Sequence, residues 1–325
     1  MAIMITGGVV FSGGVSIIPP PVVTSPNAGW YAGGFTTAQV SSVSRSTFAT
    51  DTATTVTRGS LTSTTFFAAS GTGTNTDGWY GGGYIAPASP RSSVNRITYA
   101  TDTATASSRG PLAASGYGTS ATSDGATYGW WGGSTTGSVW SSVVSRIIFA
   151  TDTATATARG PLTASKSGIG ATGNTNDGWY AGGRTLPSYI STVDRITYAT
   201  DTASAVARGP LAVTSNRMAG TVTDISTYGW YAIGYNGAVG TSSMIQRITY
   251  ANDTAISVAR GPLTSAKYYG AATSDNSTYG WFAGGQPGPT SGINRITFAN
   301  DTATATDRGN LVAASWTISS SSGIQ

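Results

Sequence analysis

Few residues of this 325-residue chain can do chemistry, and they are of few kinds. Seventeen lysines and arginines face 13 acids, every one an aspartate, and there is no histidine and no cysteine. Thiolate nucleophiles, disulfides, Cys/His zinc sites and imidazole acid–base catalysis are thereby excluded. Carboxylates, guanidinia, aromatic rings and hydroxyls remain, the last supplied by 53 threonines and 42 serines.

Most of the charges recur at fixed spacing. Asp-Thr-Ala stands at Asp51, Asp102, Asp152, Asp201, Asp253 and Asp301. An arginine opens an Arg-[Ile/Ser]-[Thr/Ile]-[Tyr/Phe]-Ala unit at 45, 96, 146, 195, 247 and 295, and Arg-Gly-x-Leu follows at 58, 109, 159, 208, 260 and 308. Gly-Trp recurs with Trp at 30, 79, 130, 179, 230 and 281. A ring of six carboxylates would suit Ca²⁺. Each Asp lies in an Ala-[Thr/Asn]-Asp-Thr turn, however, and turn capping is the expectation. The two arginines of a unit flank neighbouring strand ends, about 20 Å from that turn at ~3.3 Å per residue, which argues against a bridge to the Asp of the same unit. They are expected to bond loop carbonyls or stack on aromatics, the alternative being twelve guanidinia facing an acidic partner. The six Trp are expected to pack between units.

Catalysis has little support. Retaining glycoside hydrolysis needs two carboxylates ~5 Å apart, whereas Asp124, Asp177, Asp224 and Asp275 fall in homologous loops of different units. The expectation is a protein that is not an enzyme, with no cofactor and no metal.

The elements that position these residues follow from the repeat. Six copies of a unit of about 50 residues fill 27–325, after an arm of residues 1–26. Each unit reads as four short strands: Gly-Trp-Tyr-Ala-Gly-Gly; an alternating strand such as Val94–Ala100; a Thr/Ala strand such as Thr153–Ala158; and a small-residue strand such as Leu112–Gly118. Four strands six times over predict an all-β, six-bladed β-propeller with four antiparallel strands per blade. The small-residue strands are placed at the axis, and Leu311–Ile318 is expected to complete the first blade and close the ring.

The double glycine after an aromatic (Tyr31-Ala32-Gly33-Gly34, Tyr180-Ala181-Gly182-Gly183) resembles that of kelch repeats, although here Trp precedes the glycines. The Arg-Ile-Thr-Tyr-Ala-Thr-Asp-Thr-Ala-Thr-Ala…Arg-Gly-Pro-Leu units resemble the kelch-like propeller virion structural proteins of tailed phages, those of cyanophages in particular. That resemblance implies a non-enzymatic virion structural protein on the particle exterior, as tail, fibre or capsid appendage, contacting the host surface. Multiple copies per particle would then be expected. A carbohydrate-binding, lectin-type propeller is the alternative.

Two regions are candidates for contact. In the arm, Ile3, Ile5, Val9, Val10, Phe11, Val15 and Ile17 form an apolar stretch before Pro19–Pro21. Such a stretch can add to a sheet edge of another virion structural protein, with the prolines as a spacer. The loop between the first two strands varies from unit to unit, and variable loops on a rigid scaffold are where binding concentrates. Tyr84, Trp140, Arg184, Tyr189 and Tyr235 are the chosen contact residues, with host surface glycans as the ligand class. The bases are too evenly spread for nucleic acid. No run approaches the ~20 apolar residues of a membrane span, and the N-terminus does not read as a secretory signal.

Overall fold

The computed structural model describes residues 25–65, 70–86, 89–237 and 240–323. Six four-stranded antiparallel sheets are arranged as the blades of a β-propeller. Blade 2 shows the plan, running outward from the axis: Ser70–Gly73, Asp77–Gly81, Val94–Thr98 and Ser107–Arg109. The inner strands of blades 3 to 6 are Ser120–Ser123, Gly170–Gly173, Gly220–Thr223 and Ala271–Ser274. Ser319–Gly323 is the inner strand of blade 1 and pairs with Ala28–Ala32, so the last strand of the chain completes the first blade.

Two boundaries differ from expectation. The small-residue strand begins later than the sequence suggested. Leu112–Gly118 is a crossover between blades, and Leu311–Ser315 ends the outer strand Thr306–Ser315 of blade 6, leaving closure to Ser319–Gly323. The Thr/Ala strand is also shorter: in blade 3 it is only Thr157–Arg159, because Phe149–Thr151 winds into a 3₁₀ turn with Asp152 at its C-cap. Both differences have one cause. Ala and Thr runs carry no side-chain pattern that marks where pairing starts, and blade geometry decides it.

An innermost strand has one edge without a neighbour, and that row of polar groups must find partners. Here the hydroxyls of adjacent blades serve. Ser123 Oγ donates to Gly73 O, Thr223 Oγ1 to Gly173 O, and Ser320 Oγ to Ala272 O, at 2.7–3.0 Å. Ser274 N donates in turn to Ser322 Oγ. The Ser/Thr-rich composition is thus partly the inter-blade stitching around the axis.

The repeated landmarks all meet at one place, the seam between a blade and the next. Each Trp stacks on the Tyr or Phe ahead of the following blade's turn, at 3.8–4.3 Å between centroids, from Trp30–Tyr99 round to Trp281–Phe48. The indole N–H donates to the Asp Oδ2 of that turn at 2.7–2.9 Å. The same oxygen takes both arginines of the preceding blade: Arg45 Nη1 at 3.0 Å and Arg58 Nε at 3.4 Å on Asp102, and likewise in all six seams. The Asp is therefore more than a cap of its own turn, and the arginines do not form an open ring for an acidic partner. The within-unit distance did forbid a bridge inside a blade, but closure of the ring brings the neighbour's turn alongside. Three of these arginines also lie over a tyrosine of their own blade: Arg146 on Tyr128, Arg247 on Tyr228 and Arg295 on Tyr279.

The glycine of Arg-Gly-x-Leu completes the seam. Its N–H donates to the carbonyl of the same Asp, as Gly160 does to Asp201 at 2.8 Å. A β-carbon at Gly160 would stand 1.8 Å from Ala203 O, and the five equivalent glycines are as close to the neighbouring backbone.

Candidate ligand-binding face

Alternating strand directions give the propeller two different faces. One carries the short hairpins and the Asp turns. The other carries the variable loops between second and third strands together with the crossovers from outer strand to next inner strand. The double glycines open this loop face, with Gly33 and Gly34 at φ +67° and +102°, a left-handed turn that side chains resist.

At the centre of the loop face the crossovers form a collar. Gly118, Gly168, Arg217, Tyr269 and Thr317 occupy equivalent positions in successive crossovers, all with φ between 54° and 70°. Each N–H donates to the carbonyl of the one before: Gly168 to Gly118, Arg217 to Gly168, Tyr269 to Arg217 and Thr317 to Tyr269, at 2.7–3.1 Å. The collar crowns an axial channel of about 460 Å³ walled by Ser, Thr, Gly and Ala of the inner strands. Arg217, Met218 and Tyr269 line its mouth.

Outside the collar, the residue preceding each collar position bridges to the start of a variable loop. The pairs are Trp316 with Phe35, Tyr117 with Thr135, Ser167 with Arg184, Asn216 with Tyr235, and Tyr268 with Gln286. The result is a continuous aromatic arc of edge-on and tilted contacts, Tyr189–Tyr235–Tyr268–Tyr269–Trp316–Phe35, with centroids 5.4–6.1 Å apart. These rings are all partly exposed. Arg184 lies over Tyr189 at 5.8 Å at one end, and Arg217 over Tyr269 at 5.2 Å in the middle.

Of the residues chosen from sequence, Arg184, Tyr189 and Tyr235 are brought together in this arc. Tyr84 stands apart in blade 2, edge-on to Tyr117 at 5.4 Å. Trp140 opens the third strand of blade 3, and its indole N–H is buried without an acceptor among the described residues. The apolar arm residues Ile3, Ile5, Val9, Val10, Phe11, Val15 and Ile17 lie outside the described residues. Sequence reasoning missed Tyr117, Arg217, Tyr268, Tyr269 and Trp316. A signal was present: the three positions ending at the collar residue read Gly-Tyr-Gly, Lys-Ser-Gly, Ser-Asn-Arg, Lys-Tyr-Tyr and Ser-Trp-Thr in five successive copies. Assigning that stretch to the axial strand concealed it.

Burial pushes the Tyr117 phenol up from its ordinary value, the neighbouring Tyr84 adds to this, and the Arg217 charge opposes it. Tyr269 is likewise raised by burial, with Arg217 the main opposing influence. At neutral pH these phenols keep their protons and can both donate and accept hydrogen bonds. The face therefore offers ring surfaces, hydroxyl groups and cationic forks. Asp124, Asp224 and Asp275 lie on the opposite face, and each Oδ1 accepts three backbone N–H groups of its own hairpin. Asn174 Oδ1 caps the equivalent hairpin before Asp177. Among the described residues no three acids gather in a metal-holding geometry.

Compared with known proteins, the chain matches no protein-family model and no curated protein.

Proposed function

We propose that this propeller is a non-enzymatic virion structural protein, displayed on the exterior of a tailed-phage particle, whose loop face contacts carbohydrate of the host surface. One observation carries the binding half of the reading: a partly exposed arc of six aromatic rings, studded with arginine, around the mouth of a hydroxyl-walled channel. Flat apolar ring faces beside hydrogen-bonding groups suit the alternating apolar and hydroxylated surfaces of sugars. The particle half rests on the likeness of the repeat units to phage propellers and on the apolar arm.

The two halves are tested separately. Purified protein applied to a glycan array and to host cells should bind, and Tyr189→Ala with Tyr235→Ala should reduce binding by about tenfold or more, the loss of two stacking contacts. Binding unchanged by these substitutions removes the face from consideration. Deleting residues 2–18 should leave a folded propeller that no longer enters particles; normal incorporation of the deletion removes the arm as the attachment, and a full-length chain that does not enter particles favours a free lectin.

A further inference from the structure

The seams consume twelve of the 17 cations, Lys166 pairs with Asp194 at 3.1 Å, and Lys267 is buried in blade 6. Three arginines remain, Arg91, Arg184 and Arg217, and all three stand on the loop face without a carboxylate partner among the described residues. Of the other carboxylates, Asp77, Asp124, Asp177, Asp224 and Asp275 belong to the hairpin face, Asp77 and Asp177 each 3.7 Å from a seam arginine, and Asp307 lies on the outer strand of blade 6, where Thr264 and Asn294 donate to it. A chain with so few charges thus sorts them by face. The loop face is positive and the hairpin face negative, which attracts anions to the loop side.

Arg217 is the most telling of the three. It takes a collar position at φ +55°, where two other copies have glycine, and a bulky left-handed residue costs on the order of 1 kcal/mol unless its surroundings hold it. Its guanidinium lies over Tyr269 beside the channel mouth, where its charge also reaches Tyr117. A planar fork with no acceptor among the described residues, backed by an aromatic ring, is the arrangement that receives a carboxylate or sulfate.

The geometry points to an acidic saccharide as the ligand of this face, its anionic group held by Arg217 at the channel mouth and its sugar rings laid along Tyr189, Tyr235 and Tyr268. This inference rests on the carbohydrate reading and narrows it to one ligand class. The test is titration of the full chain, by calorimetry at about 50 mM salt, with a neutral oligosaccharide, a uronic-acid oligosaccharide, a sulfated oligosaccharide and inorganic sulfate.

Either or both acidic sugars should bind about tenfold more tightly than the neutral one, and the preference should shrink as salt is raised. The two acidic arms tell carboxylate from sulfate. Arg217→Gln should abolish the preference, bringing the acidic sugars down to the affinity of the neutral one, and Arg217→Lys should restore it in part, since it keeps the charge and loses the fork. Thermal unfolding of both variants checks that the collar survives. Equal affinity for neutral and acidic sugars, unaltered in Arg217→Gln, overturns the inference and leaves the carbohydrate reading intact. Binding of inorganic sulfate alone, or of no saccharide, overturns both.

Discussion

A single carboxylate oxygen in each seam receives one indole N–H and two guanidinia, and it is nearly shut off from water. Asp102 is 5 % exposed, with Trp30, Arg45 and Arg58 converging on it. Removing one partner of a buried ion pair strands the others, at a typical cost of 3–5 kcal/mol. Asp102→Asn should therefore destabilise the protein by about 3 kcal/mol, read from urea unfolding, even though the amide keeps nearly the same shape. Lys267 makes the opposite case. Lys166 sits against Asp194, but the equivalent position in blade 6 is Asn294, whose amide donates to Asp307 and Thr264. Burial pulls Lys267 down to about 8 from 10.5, with the charge of Asp307 only partly opposing. The folded value lies below the unfolded one, so between about pH 8 and 10.5 the unfolded chain holds the extra proton and stability rises with pH. Above about 10 the buried phenols of Tyr99, Tyr198 and Tyr231, raised by desolvation, reverse the trend. Melting temperature should peak near pH 10, and Lys267→Met should flatten the rise from pH 8. A wild-type melting temperature that falls steadily across that interval would sink the assignment.

At the scale of elements, the crossover from outer strand to next blade is the most constrained segment of the repeat. Its glycine admits no side chain because the next blade's backbone carbonyl occupies the space. Gly160→Ala should push the blade 3–4 seam apart and cost several kcal/mol, at the severe end for single substitutions, as overpacking against backbone does. Gly292, in the third strand of blade 6, has nothing within 4 Å of where a β-carbon would go. Gly292→Ala should be neutral or stabilise by about 0.5 kcal/mol, through the entropy of the unfolded chain. Equal losses in the two variants, measured by chemical denaturation, would mean that close approach is not what the repeated glycine serves.

For the molecule as a whole, closure is carried by the same contacts as every other seam. Trp281 stacks on Phe48 at 3.9 Å and, with Arg295 and Arg308, holds Asp51, while Ser319–Gly323 pairs with Ala28–Ala32. Ends that lie far apart in sequence are thus fastened twice, once by a strand and once by a seam. Removing residues 319–325 should expose the edge of Ala28–Ala32 and strip the inner wall from blade 1. Loss of a monomeric folded species in size-exclusion chromatography is expected, because an unpaired strand edge recruits other chains.

Much was legible in order and spacing. Recurrence of four landmarks sets the blade count and strand number, because each unit must bury its aromatic face against a copy of itself. Tyr189, Tyr235 and Arg184 were found as irregular residues in a regular frame. What spacing along the chain cannot reveal is distance across it. The Asp of one unit and the arginines of another are more than 40 residues apart, and only the curvature of the closed ring brings them together, as it places Arg45 at 3.0 Å from Asp102. The collar escaped for a related reason: its residues are remote in sequence and meet because the five described crossovers converge on one axis. The repeat by itself determined the architecture; the ring decided which charges are spent within it and which are left facing outward.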